Sequence, residues 1–87
     1  MFEVSVGLNK AATYQKPFPR QMDCPHCRST ARIALTAIEQ SSGTPDKGHV
    51  CNLHRNTEKA FWPHDCIAFA IYFCKECREA MVIWNQA

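Results

Sequence analysis

Two Cys-x2-Cys pairs, Cys24/Cys27 and Cys74/Cys77, limit the fold of this chain more than any other feature. Thiolates two residues apart can occupy two vertices of a tetrahedral metal centre, and structural Zn2+ sites are tetrahedral with Zn–S near ~2.3 Å. One pair leaves the ion half-coordinated. The second pair follows the 46 residues 28–73 and completes the set. The spacing predicts one Zn2+ shared by Cys24, Cys27, Cys74 and Cys77. Buried free thiols are the bland alternative, since Cys is among the most buried residue types, but two matching pairs argue against coincidence.

A chain of 87 residues needs such a staple. A domain this small buries only about 60% of the surface of its unfolded chain, so its core alone is marginal. The longest apolar run, Ile67–Cys74, is far short of the ~20 residues of a membrane-spanning helix, so no membrane association is expected. The first residues lack a basic region followed by an apolar one, so no signal peptide is read there. The expectation is a cytoplasmic protein with reduced thiols. Ten Lys and Arg stand against eight Asp and Glu, a formal charge of +2. Four thiolates on one Zn2+ add −2, which brings the metal-bound chain close to neutral. Charge alone therefore does not predict non-specific nucleic-acid binding. A local patch is available, because Arg28, Arg32, Lys75 and Arg78 all fall beside the Cys pairs.

Along the chain, Phe2–Leu8 alternates with Phe2, Val4, Val6 and Leu8 on one side, the pattern of a half-buried strand. Residues 9–21 contain Pro17 and Pro19 and read as an extended or looped segment. Residues 29–40 fit a strand through Ala31, Ile33, Leu35 and Ala37, and fit a helix face through Ala31, Ala34, Leu35 and Ile38 equally well. Residues 41–48 read as a loop tip, and a short helix fits 52–61 before Pro63. Residues 67–73 read as a strand buried on both faces. Cys74-Lys75-Glu76-Cys77 interrupts it, and Met81-Val82-Ile83-Trp84 resumes as the return strand of a hairpin.

The two pairs resemble the knuckles of a zinc ribbon, which usually run Cys-Pro-x-Cys-Gly and Cys-x-x-Cys-Gly. Cys24-Pro25-His26-Cys27 matches the first, while Arg28 and Arg78 stand where the pattern has Gly. Gly is favoured where φ is positive, so both arginines are expected to relax the knuckles. The resemblance implies a strand over Ser29–Ile38. It implies a small zinc-stabilised β-rich (α+β) domain, zinc-ribbon-like with an inserted ligand-rich loop or short helix. The single domain spans 1–87, with an N-terminal strand and linker over 1–21, ribbon halves at 22–40 and 67–87, and the insert at 41–66. Met22–Cys27 and Ile71–Cys77, with Val82-Ile83-Trp84 behind, also look like the N-terminal zinc segment of a bacterial family of unknown function found beside restriction and defence modules. The first knuckle with Ala31-Arg32-Ile33 is similar to small phage zinc-finger transcription activators, whose second Cys pair is spaced more widely.

Cys51-x2-His54 and His64-x-Cys66 form a second candidate ligand set inside the insert. Cys51, His54, His64 and Cys66 are the inventory of a site with two thiolates and two imidazoles, which would take a second Zn2+. The alternative is two core thiols and two surface histidines. His49 rivals His54, and His26 is expected to face solvent. An enzyme is not expected. His-Glu-x-x-His and the deaminase pattern are absent, and a catalytic zinc needs an open coordination position. Cys24-Pro25-His26-Cys27 also resembles the redox motif of oxidising thioredoxin-fold proteins, which implies a thiol–disulfide oxidoreductase with a helix after the motif.

The favoured reading is a binding module with a protein partner, through Phe61-Trp62-Pro63 and Trp84. A nucleic-acid-binding transcriptional regulator is the alternative, with Arg28, Arg32, Lys75 and Arg78 on phosphate and Tyr72 or Trp84 stacking on a base. The Phe2–Leu8 strand, if left at a sheet edge, suggests a homodimer.

Overall fold

The computed structural model describes residues 2–7, 13–39, 50–52 and 65–87. These form one antiparallel sheet of five strands: β1 (Phe2–Val6), β2 (Gln21–Asp23), β3 (Thr30–Glu39), β4 (Ile67–Cys74) and β5 (Ala80–Gln86). A 3-10 turn, Val50–Asn52, is the only helical element among the described residues, so the helix expected over 52–61 lies outside them. No helix there is long and apolar enough to cross a membrane.

The sheet order is β1-β3-β4-β5. β2 shares an edge of β3 with β1: β2 pairs with Thr30–Arg32 and β1 with Leu35–Glu39. Residues 30–39 thus resolve as strand, for a tertiary reason. β3 is the hub that three other strands pair with, and β-branched and apolar residues suit a strand covered on its edges.

A bulge at Ala34 corrects the simple alternation read for this strand. Ile33 pairs with Tyr72 and Leu35 with Ile71, so β3 spends two residues where β4 spends one. One extra residue inverts the facing of everything beyond it. Ala31 and Ile33 face the core with Tyr72 and Cys74, whereas Leu35 and Ala37 turn to the opposite face. The Ala34 carbonyl accepts the N–H of Gly7, at 2.7 Å, whose φ of 62° closes β1 against the bulge.

The main core cluster lies on one face. Phe18, Cys24, Ala31, Ala68, Ala70, Tyr72 and Cys74 are buried there, with Tyr14, Met22, Ile38, Met81 and Ile83 packed around them. Residues 13–20 run along this face and cover it. Tyr14 N–H donates to Asn85 Oδ1 (3.2 Å), the Tyr14 hydroxyl donates to the Glu39 carbonyl, and the Tyr72 hydroxyl donates to the Pro19 carbonyl (2.7 Å). Tyr72 is fully buried, so it does not serve as the stacking residue that the sequence suggested.

The opposite face, here the back face, is exposed in part: Ala37 and Ile67 are buried on it and Phe2 packs edge-on against Phe69 at 5.6 Å, while other side chains stand out. Val4, Ala37, Phe69 and Trp84 form one row across the strands, and Val6, Leu35, Ile71 and Val82 form the next. Val4 is 60% exposed, Val6 82%, Phe73 57% and Val82 53%. This corrects two expectations. Val4 and Val6 do not pack into the core, because the bulge in β3 aims their cross-strand neighbours the other way. β4 is covered on both edges but not on both faces, and Phe73 stands out from it.

Candidate metal centre

Each Cys pair sits on a turn between two antiparallel strands, β2 to β3 and β4 to β5. The two knuckles are closed by the same bonds. In the first, the Arg28 N–H donates to the Cys24 carbonyl (2.8 Å) and the Cys24 N–H donates to the Ser29 carbonyl (2.6 Å). In the second, the Arg78 N–H donates to the Cys74 carbonyl (2.9 Å) and the Cys74 N–H to the Glu79 carbonyl (3.0 Å). Both turns need a left-handed residue after the second Cys. Arg28 takes φ 66° and Arg78 φ 61°. The arginines therefore do not relax the knuckles; they adopt the conformation that Gly would take more cheaply.

This yields a prediction. A non-Gly residue in the left-handed region costs roughly 1–2 kcal/mol, and Gly loses about 0.5–1 kcal/mol of that advantage to its freer unfolded chain. Arg28→Gly and Arg78→Gly should each stabilise the metal-loaded protein by about 0.5–1 kcal/mol, a rise of a few degrees in Tm. Arg28→Ala, with a Cβ at the same φ, should give no such gain. Thermal melts at fixed metal concentration read the difference.

Because β3 and β4 are neighbours with Ala31 opposite Cys74, the knuckles meet at one end of the sheet. The Sγ atoms of Cys24, Cys27, Cys74 and Cys77 all lie within 4.8 Å of one another. Cys24 Sγ is 3.6 Å from Cys77 Sγ, and Cys27 Sγ is 3.5 Å from Cys74 Sγ. A tetrahedron with Zn–S near ~2.3 Å has sulfurs about 3.8 Å apart, so the cluster has the size of a metal tetrahedron. Cys24 and Cys74 are buried, Cys77 is half-buried and Cys27 is exposed, so the centre sits at the rim of the core. All six described cysteines are free thiols.

The electrostatics fit metal capture. The backbone N–H of Ser29 and its side chain bond the Cys27 sulfur and bring that thiol down to about 6. The Glu79 N–H pulls Cys77 down in the same way, but burial and hydrogen bonds to the other three cysteines push it up to about 12. Four packed sulfurs cannot all ionise without a cation among them. A divalent ion resolves the conflict by replacing the protons. These four positions are able to bind one metal ion, and all of its vertices are then occupied by thiolates.

The second candidate set is brought together only in part. Cys66 is buried and Cys51 half-buried, while His54 and His64, like His49, lie outside the described residues. The cysteines arrive at the end of the sheet opposite the knuckles, around a residue that sequence reading passed over. Glu39 is fully buried. Its Oε2 accepts the Val50 N–H (3.0 Å) and its Oε1 accepts the Ile67 N–H (2.9 Å). Val50 and Ile67 adjoin Cys51 and Cys66, so one carboxylate fixes both. Burial pushes the Cys51 thiol up, and the negative charges of Glu39, Cys66 and Asp65 add to it. Nothing in the pattern of β3 marks Glu39, which ends the strand as an ordinary polar residue.

Of the other candidates, His26 is exposed, as expected. Arg28, Arg32, Lys75 and Arg78 are all exposed at the knuckle end. Trp84 is half-buried on the back face, and Phe61-Trp62-Pro63 lies outside the described residues. The chain after the Cys-Pro-His-Cys turn enters β3 at Thr30 rather than a helix, so the helix N-terminus that the redox reading needs is replaced by a strand. No protein-family model, curated protein or solved structure matches the chain.

Proposed function

We propose that this chain is a non-catalytic, zinc-stapled module of the ribbon type that docks on a protein partner through the back face of its sheet. The observation that carries the reading is the exposed apolar side chains Val4, Val6 and Val82 on the face of the sheet opposite the main core cluster. Exposed apolar surface of this kind, rimmed by polar residues, marks interaction sites. A closed shell of four thiolates leaves no vertex for substrate, which supports a structural role for the metal. Zinc is the ion of choice for four thiolates in a reducing, cytoplasmic setting. A second zinc on Cys51, His54, His64 and Cys66 is supported by Glu39 drawing both cysteines to one place.

Native mass spectrometry of the purified chain tests the metals. One or two ions with the mass of zinc, lost on acidification, is the expected result; two intact disulfides in their place would overturn it. Docking is tested with Val6→Asp and Val82→Asp, which alter exposed positions and should leave metal content unchanged. A cross-linked protein, purified separately, should bind the wild type at one-to-one stoichiometry and lose at least tenfold with Val82→Asp. Equal binding by both variants would refute the docking face. A second copy of the chain is the competing occupant. Among the described residues β1 pairs only with β3, so its outer edge can accept another strand. A concentration-dependent dimer in sedimentation that Val6→Asp abolishes would assign the face to self-association instead.

A further inference from the structure

We infer that the cleft between the two knuckles, at the metal end of the back face, binds single-stranded nucleic acid. Phe73 is its stacking platform, and Arg32 and Lys75 are its phosphate contacts. This goes beyond the docking surface, which occupies the neighbouring rows.

The cleft is an open concavity of about 660 Å3. Phe73 lies on its floor row, cross-strand from Arg32, which is itself cross-strand from Gln21. Directly opposed residues in an antiparallel pair have Cβ atoms about 4.5–5.5 Å apart, so the two side chains leave the sheet side by side, and both line the cleft. Lys75 follows Phe73 by two residues, in the second knuckle, and also lines the cleft, as does Thr30 from the end of the first. A large ring more than half exposed in mid-sheet is costly to leave in water, and it needs a flat apolar surface to cover it. Two cations beside it need anions. A nucleic-acid strand offers both in alternation, a base face and then a phosphate, and every base has a π-face to stack. An exposed ring with two cations in one cleft therefore favours a nucleic-acid strand over the uncharged partner that suits the apolar rows.

The metal–thiolate centre carries a net charge of −2 close by, and Glu76 also lines the cleft. Recognition is thus local rather than a broad basic field. It engages about two phosphates, and for single strands the logarithm of affinity falls with the logarithm of salt at about −0.7 per phosphate contact. A slope near about −1.4 is the signature of this site.

The test is fluorescence anisotropy of the zinc-loaded full chain with a labelled oligothymidylate of about ten residues. Saturable binding that weakens with salt at that slope is expected. Phe73→Ala should weaken it about tenfold or more, since stacking is worth roughly 1–3 kcal/mol per base, and Phe73→Trp should restore it. Arg32→Gln and Lys75→Gln should each weaken binding and flatten the slope by about 0.7. Glu76→Gln should tighten it. Metal content verifies that each variant is folded; should Phe73→Ala lose metal, Phe73→Leu takes its place.

No saturation by the wild type at low salt overturns the proposal. So does unchanged affinity in both the Phe73 and Arg32 variants. Equally tight binding of duplex DNA would remove the stacking role, and equally tight binding of a polyglutamate peptide would assign the cleft to acidic proteins. None of these outcomes bears on Val82→Asp, so the docking surface stands or falls separately.

Discussion

Cys74→Ser is expected to abolish metal retention and, with it, the cooperative unfolding transition. Cys74 ends the central strand β4, is buried, and brings its sulfur to 3.5 Å from that of Cys27. The core beside it is thin. Three of its seven buried members are alanines and two are metal-site cysteines, leaving Phe18 and Tyr72 as its large side chains. A buried methyl or methylene contributes only about 0.8 kcal/mol, so this core cannot offset the chain's conformational entropy by itself. Structural zinc in small domains supplies an apparent ~10–16 kcal/mol, as much as the entire stability of a typical domain, about 5–15 kcal/mol. Losing one of four thiolates therefore removes more than the fold can spare. Circular dichroism melts, with metal per chain measured on the same sample, decide it. A variant that keeps its metal and melts within a few degrees of wild type would show that the cluster is not a structural staple.

Glu39→Ala should be the most damaging substitution away from the metal, at about 3–5 kcal/mol. The carboxylate is fully buried and accepts two backbone N–H groups, one from Val50 within the insert and one from Ile67 just after it. Each donor stranded without water costs about 1–3 kcal/mol, and the vacated volume adds a cavity term. Glu39→Gln keeps one acceptor but turns an amide N–H2 toward a donor, so it should cost about 2 kcal/mol. The expected order of stability is wild type, Gln, Ala. With about 4–8 °C per kcal/mol in a domain of this size, the Ala variant should melt at least ~12 °C lower. It should still bind its metal at the far end of the sheet. A Tm within about 2 °C of wild type would mean that the two N–H groups have other partners.

The metal end of the molecule was plain in the sequence. The two pairs and their hairpin context follow from local spacing, and Cys24, Cys27, Cys74 and Cys77 do come together. The secondary structure of residues 29–40 was ambiguous by periodicity, and Thr30–Glu39 is strand. What stayed hidden depended on register. Nothing local announces that Ala34 is a bulge, and that one residue decides whether Leu35, Val4 and Val6 face the core or the solvent. Phe73 reads as one more apolar residue of a buried strand until Arg32 is seen across from it. Tyr72, its neighbour, looked equally fit to stack on a base, and the alternation of β4 sends it to the core instead. Glu39 gives no signal at all, because its partners are backbone groups contributed from 11 and 28 residues away.

The matched knuckles also bear on how the chain assembles. Each belongs to a hairpin built from near neighbours, residues 21–39 and 67–86, and each hairpin holds half of the coordination sphere. Joining β3 to β4 means closing the excursion over residues 40–66, whose entropic cost grows with the logarithm of its length. Two-stranded hairpins are marginal in water on their own. On the proposed metal-bound reading, an ion gripped by one hairpin would present two empty vertices to the other, and metal capture and closure of the sheet would become one event. A chain synthesised where the ion is scarce would wait as two unjoined halves, its back-face apolar rows divided between them.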